Sequence, residues 1–164
     1  MNDKSLTDGV KFAMLRNISS RFKYSCFVNI VEEMELNLYP ESQRSVLFDL
    51  LSYANKIELN RLVLTTHSPY VINYLTLAAK AFLLTQKVSA NETLQVRVKE
   101  VVPADRAIDP ARLRIYELKD GGVFRLSTYE GLPSDENFLN IQLGVTNELF
   151  DQLLEIEQEF DYKN

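Results

Sequence analysis

Two short apolar runs, Cys26-Phe-Val-Asn-Ile-Val31 and Arg61-Leu-Val-Leu-Thr-Thr66, organise the chain, and each stops abruptly at polar residues. Near-continuous apolar runs of this length, rich in β-branched residues, suit strands buried on both faces, as in a parallel sheet. Between them Pro40 opens a helical pattern in which Val46, Leu47, Leu50, Leu51 and Ala54 share one face. After the second run, Ser68 and Pro69 supply a cap and a first helical position for a helix reaching about Gln86. Upstream, Thr7-Asp8-Gly9 precedes a further helical stripe, Val10 to Phe22, interleaved with Lys11, Arg16 and Arg21. Strands alternating with helices in this order specify an α/β fold with a parallel sheet and crossover connections.

The pattern changes after residue 87. Leu94 to Val102 and Arg112 to Leu118 alternate apolar and polar residues, which predicts half-exposed strands. Asp120-Gly121-Gly122 predicts a tight hairpin turn into a strand from Val123 to Leu126. Asn147 to Phe160 reads as a final amphipathic helix with Leu149, Phe150, Leu153, Leu154 and Ile156 inward. Its acids, Glu148, Asp151, Glu155, Glu157, Glu159 and Asp161, read as a solvated face.

Composition narrows the chemistry. The 164 residues, 46% of them apolar, suffice for a single domain without a covalent staple, since a chain of this size buries roughly 70% of its unfolded surface. One histidine and one cysteine cannot make a four-ligand zinc site, nor one cysteine an internal disulfide. Cys26, inside an apolar run, is expected to be buried in a reducing compartment. A net charge of −5 argues against a dedicated binder of nucleic-acid backbone. The basic residues Arg97, Lys99, Arg106, Arg112 and Arg114 are interrupted by acids and read as a solvated sheet face. The polar first residues and the interrupted apolar stretch from Val71 to Leu84 offer neither a secretory signal nor a membrane span, so a cytoplasmic protein is expected.

Both apolar runs end in residues that can do chemistry: Glu32-Glu33 after the first, Thr65-Thr66-His67-Ser68-Pro69 at the end of the second. Taken alone, Glu32-Glu33 reads equally as solvent-facing charges where a strand leaves the core, and His67 as a capping or packing histidine. Both lie at the carboxyl ends of strands, where open α/β sheets place their ligands.

The order and spacing of Val28-Asn-Ile-Val-Glu-Glu-Met-Glu-Leu-Asn-Leu-Tyr-Pro-Glu-Ser-Gln43 and Leu62-Val-Leu-Thr-Thr-His-Ser-Pro-Tyr70 resemble the C-terminal half of an ABC-type P-loop ATPase. The branch is the AAA-like one containing the SMC-like and OLD-family ATPases, whose segment reads apolar strand, Asp/Glu-Glu-Pro-Glu-x-x-Leu-His-Pro, helix, strand, Thr-His-Ser-Pro. The likeness runs over residues 5–126. It implies a P-loop NTPase-like half-domain: a parallel sheet with flanking helices, then a C-terminal antiparallel hairpin and helix, all in one domain spanning residues 1–164. By this resemblance, residues 27–33 match Walker B and residues 65–69 the switch-histidine loop. Glu32 would hold Mg²⁺, directly or through water, Glu33 would activate the attacking water, and His67 would contact the γ-phosphate of ATP. Residues 5–10 resemble the signature loop, with Thr7 in place of its serine. Thr7 and Gly9 would then reach ATP held by another subunit, which implies a head-to-tail homodimer.

Met34, Asn37 and Tyr39 depart from the family pattern at non-catalytic positions. The larger departure is that the 164 residues contain no Gly-x-x-x-x-Gly-Lys-Ser/Thr, the loop whose backbone cradles phosphates. The resemblance therefore implies a partner lobe carrying Walker A, on the same or another chain. Neither Mg²⁺ nor ATP is expected to bind tightly to this chain alone, which makes ATPase activity conditional on the partner. DNA would be engaged only through the complete assembly. The competing expectation is a catalytically inactive ATPase-like module that serves protein contacts or regulation.

Overall fold

In a computed structural model, which describes residues 26–163, the two apolar runs become β1 (Val28–Val31) and β2 (Arg61–Leu64). They pair in parallel with Val28 opposite Arg61 and Val31 opposite Leu64. The connection is α1 (Pro40–Asn55), which starts at its proline as expected. Asn60 locks the strand entrance. Its side chain accepts from the Phe27 N–H at 2.9 Å and donates to the Tyr53 carbonyl at 3.1 Å, joining the end of α1 to the start of both strands. A buried amide used in both directions leaves little unpaired polar surface there.

The second crossover helix, α2 (Pro69–Lys87), follows β2. Leu47, Phe48 and Leu51 of α1 meet Val71, Leu75, Ala78 and Ala81 of α2 in the core, with Met34 and Val102 completing it. Val31, Leu62 and Leu64 pack on that cluster, so the helices cover one face of the sheet. Among the described residues nothing covers the other face: Val28, Ile30 and Val63 are all exposed, Ile30 to 69%. The expectation of strands buried on both faces is thus met on one side only. Cys26, expected to be buried, is exposed.

Beyond α2 the prediction of a strand from Leu94 to Val102 is overturned. The segment is α3 (Glu92–Val101), because Asn91 caps it by accepting the Leu94 N–H at 3.0 Å. The alternation was also compatible with a helical face carrying Leu94, Val98 and Val102, and the cap selects that periodicity. Only Val102 of these is fully enclosed. A 3₁₀ turn at Pro110–Arg112 then leads into β3 (Tyr116–Lys119), four residues later than the predicted strand start.

The hairpin reading holds. β3 pairs antiparallel with β4 (Gly122–Arg125), and the two turn residues Asp120 and Gly121 have φ of 50° and 72°. Two left-handed residues in a two-residue loop match the twist of the flanking strands. A smaller hairpin follows, β5 (Thr128–Tyr129) with β6 (Leu132–Pro133).

The last helix, α4 (Phe138–Lys163), begins nine residues before the predicted start at Asn147. Asn137 accepts the Asn140 N–H at 3.0 Å, and Glu117 of β3 accepts the Phe138 N–H at 2.6 Å, which together fix the first turn. The expectation that Leu149, Phe150, Leu153, Leu154 and Ile156 face inward fails, since all five are exposed. Nothing in α4 belongs to the core cluster, which α1 and α2 already fill. The result is a mixed α/β protein with a small parallel sheet and antiparallel hairpins. No helix among the described residues is long and apolar enough to cross a membrane.

Candidate functional site

The carboxyl ends of β1 and β2 lie side by side because the strands are parallel and in register, Val31 opposite Leu64. The residues just beyond each strand end therefore form one patch. Thr65 N–H donates to the Val31 carbonyl at 3.1 Å, extending the pairing by one step. Glu33 N–H then donates to Thr65 Oγ1 at 3.0 Å. The two loops are tied before either side chain of interest is considered.

Glu33 has a φ of 45°, in the left-handed region. That conformation costs a residue with a Cβ about 1–2 kcal/mol. It also breaks the alternation of the strand, so the Glu33 side chain leaves the β1 pleat and approaches β2. Glu33 Oε1 lies 3.6 Å from His67 Nε2, with the two side chains 49% and 83% exposed. This spacing is too long for a hydrogen bond and forms an ion pair only while the imidazole carries its second proton. Both groups are turned to solvent, where incoming anions, metal ions and water have access.

Below this exposed pair the loops are held by groups that sequence reasoning left without a role. Glu35 Oε1 accepts the backbone N–H of His67 in a short hydrogen bond, and Glu35 Oε2 is buried without a hydrogen-bond partner. Two successive turns bring Glu35 back under the strand ends: Leu36 N–H donates to Glu33 and Leu38 N–H to Glu35, each at 2.9 Å. Met34 anchors the segment in the core. Gln43 of α1, also buried, accepts the Ser68 hydroxyl at 2.6 Å and donates to the Leu38 carbonyl at 3.0 Å. Ser68 occupies the cap position of α2 as expected, yet its hydroxyl serves this link rather than the helix. Ser68 N–H is taken by Thr66 Oγ1 at 3.0 Å. The sequence signal for these roles was modest: a third acid two residues after Glu33, and a glutamine one turn into α1.

Of the expected site residues, Glu33 and His67 come together. Glu32 is exposed at the end of β1, next in chain to Glu33 and without a hydrogen bond among the described residues. Thr7 and Gly9, and the helical stripe from Val10 to Phe22, lie outside the described residues. Among the described residues no group of three or more His, Cys, Asp and Glu side chains is arranged to hold a metal ion.

The expected basic sheet face does not exist. Arg97 and Lys99 stand on α3, while Arg112 donates to the Glu58 carbonyl at 2.9 Å and Arg114 to the Ala111 and Leu113 carbonyls at 2.7 Å. Arg106 pairs with Asp49 at 3.3 Å. Most of these cations are engaged in holding loops to neighbouring backbone or side chains.

Residues 28–73, from β1 into the first turn of α2, match the family described as AAA domain, putative AbiEii toxin, Type IV TA system. The matched segment contains every residue of the two strand-end loops. No curated protein and no solved structure gives a significant match to the chain.

Proposed function

We propose that this chain provides the Mg²⁺-binding and water-activating half of an ATPase of the ABC type, in the branch that includes the SMC-like and OLD-family enzymes. The observation that carries the reading is the convergence of Glu33 and His67 at the ends of two paired parallel strands, inside the segment similar to an AAA domain. The strain at Glu33 supports it as well, because left-handed non-glycine residues concentrate where function over-determines the backbone.

In this reading bound Mg²⁺ supplies neutralisation of charge on the transferring phosphoryl group. Glu32 holds the ion, directly or through water. Glu33 accepts a hydrogen bond from the attacking water and orients it. His67 donates from Nε2 to a γ-phosphate oxygen, and Glu35 fixes the loop from which it does so. The phosphate cradle comes from a Walker A lobe outside these residues, and the edges of the β1–β2 sheet, which no other described strand pairs, are where such a lobe would add strands. Thr7 and Gly9 would act across a homodimer on the nucleotide of the other subunit.

The test has two arms. Calorimetry on the chain alone is expected to find weak or no binding of Mg-ATP; micromolar affinity would mean that a phosphate site exists within it. Coding sequence upstream and neighbouring genes are then searched for Gly-x-x-x-x-Gly-Lys-Ser/Thr and the product is combined with this chain. Mg²⁺-dependent ATP hydrolysis that appears only in the combination supports the proposal, and a stable complex without turnover overturns it.

A further inference from the structure

Helix α4 spans 26 residues, about 39 Å at 1.5 Å per residue. Its first turn is tied to the rest of the protein through Asn137 and Glu117. From there onward its large apolar side chains stand in solvent, from Ile141 at 50% exposure to Ile156 at 65%. Ile141, Val145, Leu149, Leu153 and Ile156 recur at steps of three and four, so they form one continuous stripe along the helix. An exposed apolar stripe of this length marks an interaction surface rather than ordinary surface composition.

The charges beside the stripe indicate what covers it. Glu148, Asp151 and Glu155 run along one flank at steps of three and four, and Glu157 lies on the other. From Phe138 to Tyr162 the helix has no lysine, arginine or histidine. Like charges at these spacings repel one another, and acids in the C-terminal half oppose the helix dipole. Both penalties are relieved by cations brought from outside. A second copy of α4 offers a single cation, Lys163 at its last position and beyond the stripe, and an anionic membrane surface would repel the acids.

We propose that α4 is the docking surface for a basic amphipathic helix, whose apolar face covers the Ile141–Ile156 stripe and whose lysines or arginines flank it to meet Glu148, Asp151 and Glu155. The occupant is a segment of another protein. Tighter binding of a lysine-rich amphipathic peptide to a variant lacking residues 1–25 than to the full chain would identify this chain's own basic stripe, Val10 to Phe22, as the occupant and overturn the proposal. Recognition combines helix-on-helix packing with charge complementarity that sets partner choice. This surface is separate from the strand-end loops, and its test requires no nucleotide.

The probe is a synthetic 21-residue peptide with leucines at helical spacing and lysines elsewhere, compared with a peptide in which every lysine is replaced by glutamate. Titrated against the full chain at low salt, the lysine peptide is expected to bind and the glutamate peptide to fail, with affinity falling as salt rises. Leu153→Asp and the double change Glu148→Lys with Glu155→Lys should each weaken the lysine peptide at least tenfold. These positions are exposed, so circular dichroism and the thermal midpoint should stay close to those of the parent. Binding of the lysine peptide that is unaffected by Leu153→Asp overturns the proposal, as does binding of neither peptide. Concentration-dependent dimerisation abolished by Leu153→Asp would identify a second copy as the occupant and overturn it too.

Discussion

The carboxylate of Glu35 receives the backbone N–H of His67, while the imidazole of the same histidine faces the neighbouring Glu33. The main chain of His67 is therefore held from below and its side chain presented above, by two acids of one turn. This division separates what fixes the loop from what can act on a ligand.

Replacing Glu35 tests the lower contact. Glu35→Ala leaves the His67 N–H without its charged acceptor and should lower unfolding stability by about 1–3 kcal/mol, measured by urea titration. Glu35→Gln keeps an acceptor and removes charge from the buried, unpartnered Oε2, so it should stay within about 1 kcal/mol of the parent. His67 is the sole histidine, and its imidazole resonances should move in the alanine variant and return in the glutamine variant. An unmoved imidazole signal in Glu35→Ala would show that the hydrogen bond does not position the loop.

Glu33 sets stability against function. Glu33→Gly removes a left-handed strain of about 1–2 kcal/mol at an entropic cost of about 0.5–1 kcal/mol, so the chain alone should become slightly more stable. The same change should abolish hydrolysis in the completed ATPase. Glu33→Gln should abolish turnover while nucleotide binding survives, as measured by single-turnover assays beside equilibrium binding. Full turnover in the glutamine variant would remove Glu33 from the water-activating role.

Thr65 tests the tie between the loops. Thr65→Val withdraws the hydroxyl that accepts the Glu33 N–H, and about 0.5–1.5 kcal/mol should be lost, with Thr65→Ser restoring it. Hydrogen exchange at the Glu33 amide is the direct readout: it should quicken in the valine variant and recover in the serine variant.

The open face of the sheet makes a contrasting pair. Leu47→Ala, at a position with no exposed surface, should cost about 2–5 kcal/mol. Ile30→Ser, on the uncovered face, should change the stability of the chain by less than about 0.5 kcal/mol. It should instead weaken association with a Walker A lobe. A core-sized loss in Ile30→Ser would mean that the face is covered within the chain itself.

Where one signal acted locally, the sequence was easy to read. Pro40 and Pro69 fix φ at a first helical position and Gly121 accepts the positive φ its turn requires, so the helix starts and the hairpin turn fell where expected. Leu94 to Val102 misled because its apolar residues satisfy both a strand and a helix period, and the Asn91 cap decided between them. In α4 the apolar face was legible but its surroundings were not, because burial depends on whether another element arrives.

The order of residues alone determined the α/β rhythm, the absence of a phosphate-cradling loop and the candidacy of Glu32, Glu33 and His67, because spacing and residue type are properties of the chain. Tertiary structure decided that Glu33 turns left-handed to meet His67, that Glu35, Thr65 and Gln43 brace the two loops, and that the sheet and α4 each keep an apolar face open. The first two rest on contacts between segments tens of residues apart, whose distance the packing of α1 and α2 on β1 and β2 sets, and the open faces on the lack of a covering element among the described residues.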